Sequence, residues 1–157
     1  MRISTMGRYA LRTLIEIASR PGNGPVSLKN IAEAQRLSAN YLWHIVTPMK
    51  RKRIIKIVRG VAGGCLLARP PEEITLLDIV EAVEGPVSLV ACVRNSKRCR
   101  YATGCIANDV WGEVNEALRG AMARLTLADM VAKSKAKGGA ASANLPSDSN
   151  APEAEQA

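Results

Sequence analysis

Apolar residues first recur at helical spacing over 5–18, where Ala10, Leu11, Leu14, Ile15, Ile17 and Ala18 form a stripe with Arg8, Arg12 and Glu16 off it. The run Pro21-Gly22-Asn23-Gly24-Pro25 ends that helix. Ser27 is suited to cap a second helix over 28–34, and Ser38 a third from 39 to about 52, with Arg36-Leu37 as the tight connection. In the third helix Tyr41, Leu42, Ile45, Val46 and Met49 turn toward a core. Pro48 conflicts with this pattern, because a residue without an N–H predicts a kinked or shortened helix. Two short helices joined by a tight turn, the second followed by a basic run, read as a helix-turn-helix.

The pattern then changes. Ile54-Ile55-Lys56-Ile57-Val58-Arg59 is rich in β-branched residues, Gly60-Val61-Ala62-Gly63-Gly64 is a turn, and Cys65-Leu66-Leu67-Ala68 is a second apolar run. Together they predict a β-hairpin, and a hairpin directly after a helix-turn-helix is a wing. Pro70-Pro71 closes the unit, Thr75 caps a helix over 76–83, and Gly85-Pro86 ends it. The longest helical pattern runs from 108 to about 133, with Val110, Trp111, Val114, Leu118, Met122, Leu125, Met130 and Val131 at its apolar positions. Such a helix on a small domain needs a partner surface, and a two-fold homodimer supplies one. From about residue 134 the composition turns to Lys, Gly, Ala, Ser, Asn, Pro and Glu without periodic apolar residues, which predicts disorder.

The expected fold class is therefore mostly α with a small β-hairpin wing: a winged helix-turn-helix plus a long C-terminal dimerisation helix. The divisions are a DNA-binding domain over 1–85, a cysteine loop over 86–107, a dimerisation helix over 108–133 and a tail over 134–157.

Composition sharpens this picture. An apolar fraction of 47% supports a core, but with no Phe and only 3% aromatics, the packing falls to Leu, Ile, Val, Ala and Met. The net charge of +8 is unevenly placed. Residues 1–69 hold thirteen Lys or Arg against two Asp or Glu, while residues 70–157 hold nine against twelve. A basic front half is the footprint of a phosphate binder, here double-stranded DNA. No stretch approaches the ~20 apolar residues of a membrane span. Residues 1–8 lack the apolar region of a secretory signal, so the expected location is the cytoplasm, with no membrane partner. No nucleotide, flavin or substrate motif points to an enzyme.

The base-reading end of the third helix carries Ser38, Asn40, Tyr41, Trp43 and His44, followed by Lys50, Arg51 and Arg53. Recognition helices place their first side chains on base edges and basic residues on phosphates. Asn40 and His44 suit base edges, and Tyr41 is divided between core and phosphate. Arg59, just before the glycine turn, is placed for a minor groove or a phosphate.

Three of the four cysteines, Cys92, Cys99 and Cys105, fall in one short basic loop with Arg94, Lys97, Arg98 and Arg100. Thiols stay reduced in the cytoplasm, so this cluster favours metal or redox chemistry over a disulfide framework. Thiolates suit an iron–sulphur cluster, a zinc ion or a thiol sensor. The basic side chains would offset the negative charge of a thiolate-bound group. Three thiolates leave a fourth position to fill, for which Asp109, Asn108, a partner-subunit residue or an exogenous ligand are the candidates. Cys65 lies on the expected wing and reads as a packed thiol.

At this point the chain resembles the Rrf2 family of bacterial winged-helix regulators. The resemblance is carried by Met1-Arg2-Ile3 with Gly7-Arg8-Tyr9-Ala10, by Leu37-Ser38-Ala39-Asn40-Tyr41-Leu42, and by Val58-Arg59-Gly60 with Gly63-Gly64. It continues through Leu67-Ala68-Arg69-Pro70-Pro71-Glu72-Glu73-Ile74-Thr75-Leu76, Glu81-Ala82-Val83-Glu84-Gly85, the three cysteines, Trp111 and Leu125-Thr126-Leu127-Ala128-Asp129. It spans about residues 1–133. The resemblance implies a homodimeric repressor whose DNA affinity follows an iron–sulphur cluster, [2Fe–2S] or [4Fe–4S], held by Cys92, Cys99 and Cys105. The signal implied is iron–sulphur, redox or nitric-oxide status. The chain also departs from the family. Cluster-binding members often carry Glu-Gln where it has Trp43-His44, which implies a different operator. One member takes a histidine ligand where this chain has Asn108, and another takes a partner-subunit aspartate at the position of Arg8. A cluster-free regulator with a zinc or thiol switch is the alternative.

Overall fold

The computed structural model describes residues 2–20, 22, 24–60, 62–95 and 104–137. Helix α1 (Thr5–Ser19) begins where the Ser4 hydroxyl accepts a hydrogen bond from the Gly7 N–H. Helices α2 (Leu28–Gln35) and α3 (Ala39–Arg51) are capped the same way by Ser27 and Ser38. Each cap satisfies an N–H that the first helical turn leaves without a partner. Arg36 ends α2 in the left-handed region at φ 52°, held by its N–H on the Ala32 and Glu33 carbonyls, and so makes the tight turn of the helix-turn-helix.

Pro48 does not shorten α3, which continues to Arg51. The proline removes one N–H near the helix end, while Ile45, Val46 and Met49 beside it are fully buried. Their packing outweighs the loss of one helical hydrogen bond.

Strands β1 (Ile55–Val58) and β2 (Gly64–Leu67) pair antiparallel, with Ile55 opposite Leu67 and Val58 opposite Gly64. Val26 adds a bridge to Cys65, each N–H reaching the other's carbonyl at 2.8 Å. Only glycine fits at position 64, because a Cβ there would collide with the Val26 backbone. At the tip, Gly60 takes a φ of 110° and its carbonyl accepts the Gly63 N–H at 2.9 Å.

After a single 3-10 turn (Pro71–Glu73), α4 (Leu76–Glu84) opens on a capping box between Thr75 and Asp78. Helices α5 (Ala91–Arg94), α6 (Ile106–Arg124) and α7 (Leu127–Ala136) complete the described chain. One core joins Leu14 of α1, Ile31 of α2, Leu42, Ile45 and Met49 of α3, Ile55 and Cys65 of the hairpin, and Ile79 of α4. The hairpin and α3 are thus held by the same buried side chains.

The single helix expected over 108–133 is two helices. Leu125 adopts extended backbone, and Thr126 restarts the chain with a capping box to Asp129. Hydrogen bonds from the Thr126 backbone, then from its hydroxyl, hold the Asp129 carboxyl below its usual range. The break is fixed from outside. The Leu76 N–H donates to the Leu125 carbonyl at 2.8 Å, and the Leu127 N–H to the Ile74 carbonyl at 2.7 Å. Leu127 and Val131 then bury in the core formed by α1 to α4 and the hairpin, so α7 packs on the same chain. The two halves of α6 differ as well, along one apolar stripe. Leu118 and Met122 pack inward with Val80 and Val87. Ile106, Val110, Trp111 and Val114 remain exposed.

Among the described residues, no helix is long and apolar enough to cross a membrane. The tail from 138 onward and the loop residues Lys97, Arg98, Cys99 and Arg100 lie outside the described residues.

Candidate nucleic-acid interface and cysteine loop

Asn40, Trp43, His44, Thr47 and Arg51 recur every three or four residues and so share one face of α3. That face lies opposite the buried Leu42, Ile45, Val46 and Met49. Trp43 is 47% exposed, a large apolar side chain left open at the centre of this surface. Asn40, His44, Lys50, Arg51 and Arg53 are exposed as well. The Ser38 oxygen accepts the Tyr41 N–H at 3.2 Å, so the cap uses its lone pair and leaves its O–H free to donate.

Tyr41 differs from its neighbours. It is half-buried and stands edge-on to Tyr9, with ring centroids 6.1 Å apart and planes at 88°. Arg12 sits over the Tyr9 ring at 5.0 Å. Burial, then the neighbouring Tyr9, pushes the Tyr41 phenol up; Arg8 opposes this shift and Glu84 adds to it. Tyr41 therefore serves chiefly to lock α3 to α1. Arg53 takes a left-handed φ of 55° in the turn from α3 to β1, and Arg59 is exposed where β1 enters the wing tip.

The cysteine loop begins from a clamped segment. The Glu81 carboxylate of α4 accepts the Val87 N–H at 3.0 Å and pairs with Arg119 of α6. Asn115 of α6, only 4% exposed, accepts the Leu89 N–H at 3.0 Å. The chain entering Cys92 is thus held between α4 and α6. At the end of α4, Glu84 accepts the Ser4 N–H at 3.0 Å and the Ser4 hydroxyl at 2.5 Å, and a Cβ at Gly7 would run into its carboxylate. Glu81, Asn115, Arg119 and Glu84 were not among the residues expected to shape the site. The one local signal was Asn115, a weak helix former in the middle of a helix; the others are long-range contacts between ordinary surface residue types.

Cys92 lies in α5, which packs on α6, and Cys105 is the N-cap residue of α6. Both are half-buried free thiols. Cys99 falls outside the described residues, and among those described no three Cys, His, Asp or Glu side chains converge as a metal site. One turn into α6, the Asn108 side-chain oxygen is buried without a hydrogen-bond partner among the described residues. Asp109 beside it is exposed. Cys105 and Asn108 lie at the start of α6 and Cys92 on α5, which packs on it. Two thiols and an orphaned amide oxygen are donors whose chemistry fits a thiolate-bound metal or cluster. Cys65 is excluded from that set. It is fully buried on β2, and burial pushes its thiol up to about 11.

The chain is similar in sequence and fold to known proteins. Residues 3–133 match the family model Rrf2, described as iron-dependent transcriptional regulator. The HTH-type transcriptional regulator CymR of Bacillus subtilis is 35% identical over 130 residues, covering 83% of this chain and 89% of that protein. The structure of CymR (YrzC), the global cysteine regulator of B. subtilis, is similar with a TM-score of 0.69 at 34% identity, over 85% of this chain and 98% of that one. The structure of T. potens IscR gives a TM-score of 0.69 at 31% identity, over 88% and 91%. The helical architecture with a two-stranded hairpin matches these winged-helix structures, as the sequence led us to expect. The relatives are transcriptional regulators rather than enzymes. A helix-turn-helix, a wing on the same core and a match across nearly all the described residues lead to one assignment: the chain belongs to the Rrf2 family of DNA-binding transcriptional regulators.

Proposed function

We propose that this regulator is a cytoplasmic homodimer, acting as a repressor, whose operator affinity is set by an iron–sulphur cluster on its cysteine loop. The observation that carries the reading is the set of donors on two packed helices, Cys92 on α5 with Cys105 and the Asn108 oxygen at the start of α6, the last without a partner among the described residues, beside a segment tied to α4 and α6. The iron-dependent description of the family supports it. Cys92, Cys99 and Cys105 would hold the cluster, with Asn108 favoured over the exposed Asp109 at the fourth position. A bound cluster supplies reversible one-electron chemistry and reactivity toward oxidants and nitric oxide.

The chain's own residues convert that state into DNA affinity. Glu81, Arg119 and Asn115 tie the loop to α4 and α6, and Glu84 ties α4 to α1, which Tyr9 and Tyr41 lock to the recognition helix. A shift of the loop therefore reaches α3 through packed elements. Spacing between two recognition helices sets affinity for a two-fold operator. Operator titrations of cluster-loaded and cluster-free protein, compared anaerobically at one salt concentration, are expected to differ by about 1–3 kcal/mol, the usual size of allosteric coupling. Identical affinities with an intact dimer in both forms would make the group structural rather than sensory.

Within the interface, Lys50 and Arg51 contact phosphates, while Trp43 and His44 read bases, with Ser38, Asn40, Arg53 and Arg59 completing the surface. Substituting Lys50 or Arg51 is expected to weaken specific and random DNA alike and to flatten the salt dependence. Changing Trp43 or His44 should instead shift preference among operator variants by roughly 1–3 kcal/mol for each base-reading side chain removed. Equal losses on specific and random DNA would remove Trp43 and His44 from base reading.

A second reading, a zinc or thiol switch without a cluster, is favoured by the similarity to a cysteine regulator. Colour separates the two, because a cluster absorbs visible light and zinc or thiols do not.

A further inference from the structure

The end of α3 and the base of the wing enclose a groove of about 680 Å³ with Lys50, Arg53, Lys56 and Arg69 around an apolar floor of Ile55 and Ile57. Lys50, Arg53 and Lys56 make no ion pair among the described residues. Arg69 reaches Asp78 at 3.5 Å, and its Nε is buried without a hydrogen-bond partner among the described residues. Four cations gathered around one depression repel each other and favour an anionic occupant. Lys56 and Arg69 lie outside the set assigned to DNA, so the groove extends beyond that surface.

We infer that this groove is a docking surface for an acidic peptide, and that the chain's own residues 138–157 fill it. Three observations point to that occupant. Residues 138–157 contain Asp148, Glu153 and Glu155 and no Lys or Arg, so their charge complements the groove. A track of depressions also leads there from the end of α7. The cleft beside Lys135 is lined by Ala18 and Pro71. Those two residues line the next cleft too, which runs past Leu67 to Arg69. Arg69 is in turn a wall of the basic groove. Finally, the length suffices. Chain extended from 138 to Glu153 spans up to about 50 Å, against a radius of gyration of about 14 Å for a domain of this size.

A docked acidic segment would cover Lys50 and Arg53 and so compete with DNA phosphates. The competition rests on the reading of Lys50 and Arg53 as phosphate contacts; the docking does not. The full-length protein, free of DNA, is treated with a zero-length carbodiimide cross-linker and the products are mapped by mass spectrometry. Cross-links from Asp148, Glu153 or Glu155 are expected to fall on Lys50 and Lys56 in preference to Lys133, Lys135 and Lys137, and to disappear at high salt. Links confined to Lys133, Lys135 and Lys137, or none to the groove, overturn the docking. In parallel, the variant D148N/E153Q/E155Q is expected to bind random-sequence DNA about three- to tenfold more tightly than the parent at low salt, with the gain abolished in high salt. Groove cross-links without any gain in DNA affinity would keep the docking and instead refute the phosphate role of Lys50 and Arg53.

Discussion

Replacing Cys92, Cys99 or Cys105 with alanine is expected to strip the bound iron and the visible absorption from anaerobically purified protein, whereas Cys65→Ala leaves both unchanged. The contrast follows from where the thiols lie. Cys92 and Cys105 are half-buried on α5 and at the start of α6, within reach of an incoming metal. Cys65 is sealed in the core and, with its thiol pushed up to about 11, stays protonated near neutral pH. A protonated thiol is a poor ligand. The fourth position follows the same logic: Asn108→Ala should lower cluster retention, and Asp109→Ala should not, because the Asn108 oxygen is buried without a partner among the described residues whereas Asp109 is exposed. Iron content and absorption spectra of the variants decide the matter. A Cys99→Ala protein that keeps its full iron would sink the assignment, and colourless protein holding zinc would move the reading to the alternative switch.

The double variant Trp111→Glu with Val114→Glu is expected to convert a dimer into a monomer and to weaken operator binding by about a hundredfold to ten-thousandfold, the range expected when two linked readers act singly. Ile106 is 75% exposed, and Val110, Trp111 and Val114 are 49%, 45% and 46% exposed. Four large apolar side chains within nine residues of one helix form a patch that water does not favour. A second copy of α6 would cover it, with the two-fold symmetry that a two-fold operator requires. The packed C-terminal half of α6, with Leu118 and Met122, is untouched, so the variant should fold with unchanged helix content. Sedimentation of the variant at the concentration of the DNA titration is the direct check. A variant that stays dimeric would place the dimer interface elsewhere.

Much of the fold was legible because its signals are local. Ser27, Ser38 and Thr75 each accept an N–H three residues ahead, and the helices begin where those residues predict. The change from helical spacing to a β-branched run and then to glycine located the wing. Strand β1 is shorter than its apolar run, starting at Ile55, and β2 begins one residue before its run, at Gly64. Cys65 is a packed thiol, as its position suggests, because an apolar site on a strand facing a core has one ready environment. Helix α3 runs to Arg51, close to the expected end near 52, with Pro48 inside it, because the buried neighbours of the proline offset its local cost.

The candidate interface was equally readable, since charge and helical spacing are both carried by the chain itself. Asn40, Trp43, His44 and Arg51 share a face because they are three or four residues apart. The clamp was not readable. Glu81 meets Arg119, and Leu89 meets Asn115, across separations that no local pattern encodes. The helix break at Leu125 belongs with these. The apolar spacing runs on through it, and Thr126 with Asp129 is a capping signal that also occurs inside helices. Ile74 and Leu76 decide the outcome by hydrogen-bonding the chain on either side of the break.

Taken alone, the sequence determined the helix-turn-helix, the wing, the basic reading face and the thiol-rich loop. All of these follow from residue type, spacing and charge within short stretches. Tertiary structure alone decided that Leu127 and Val131 bury in the core of α1 to α4 and the hairpin while Val110, Trp111 and Val114 stay exposed. An apolar stripe states only that a surface must be covered. Which surface covers it depends on where distant elements come to rest, and that is a property of the packed chain.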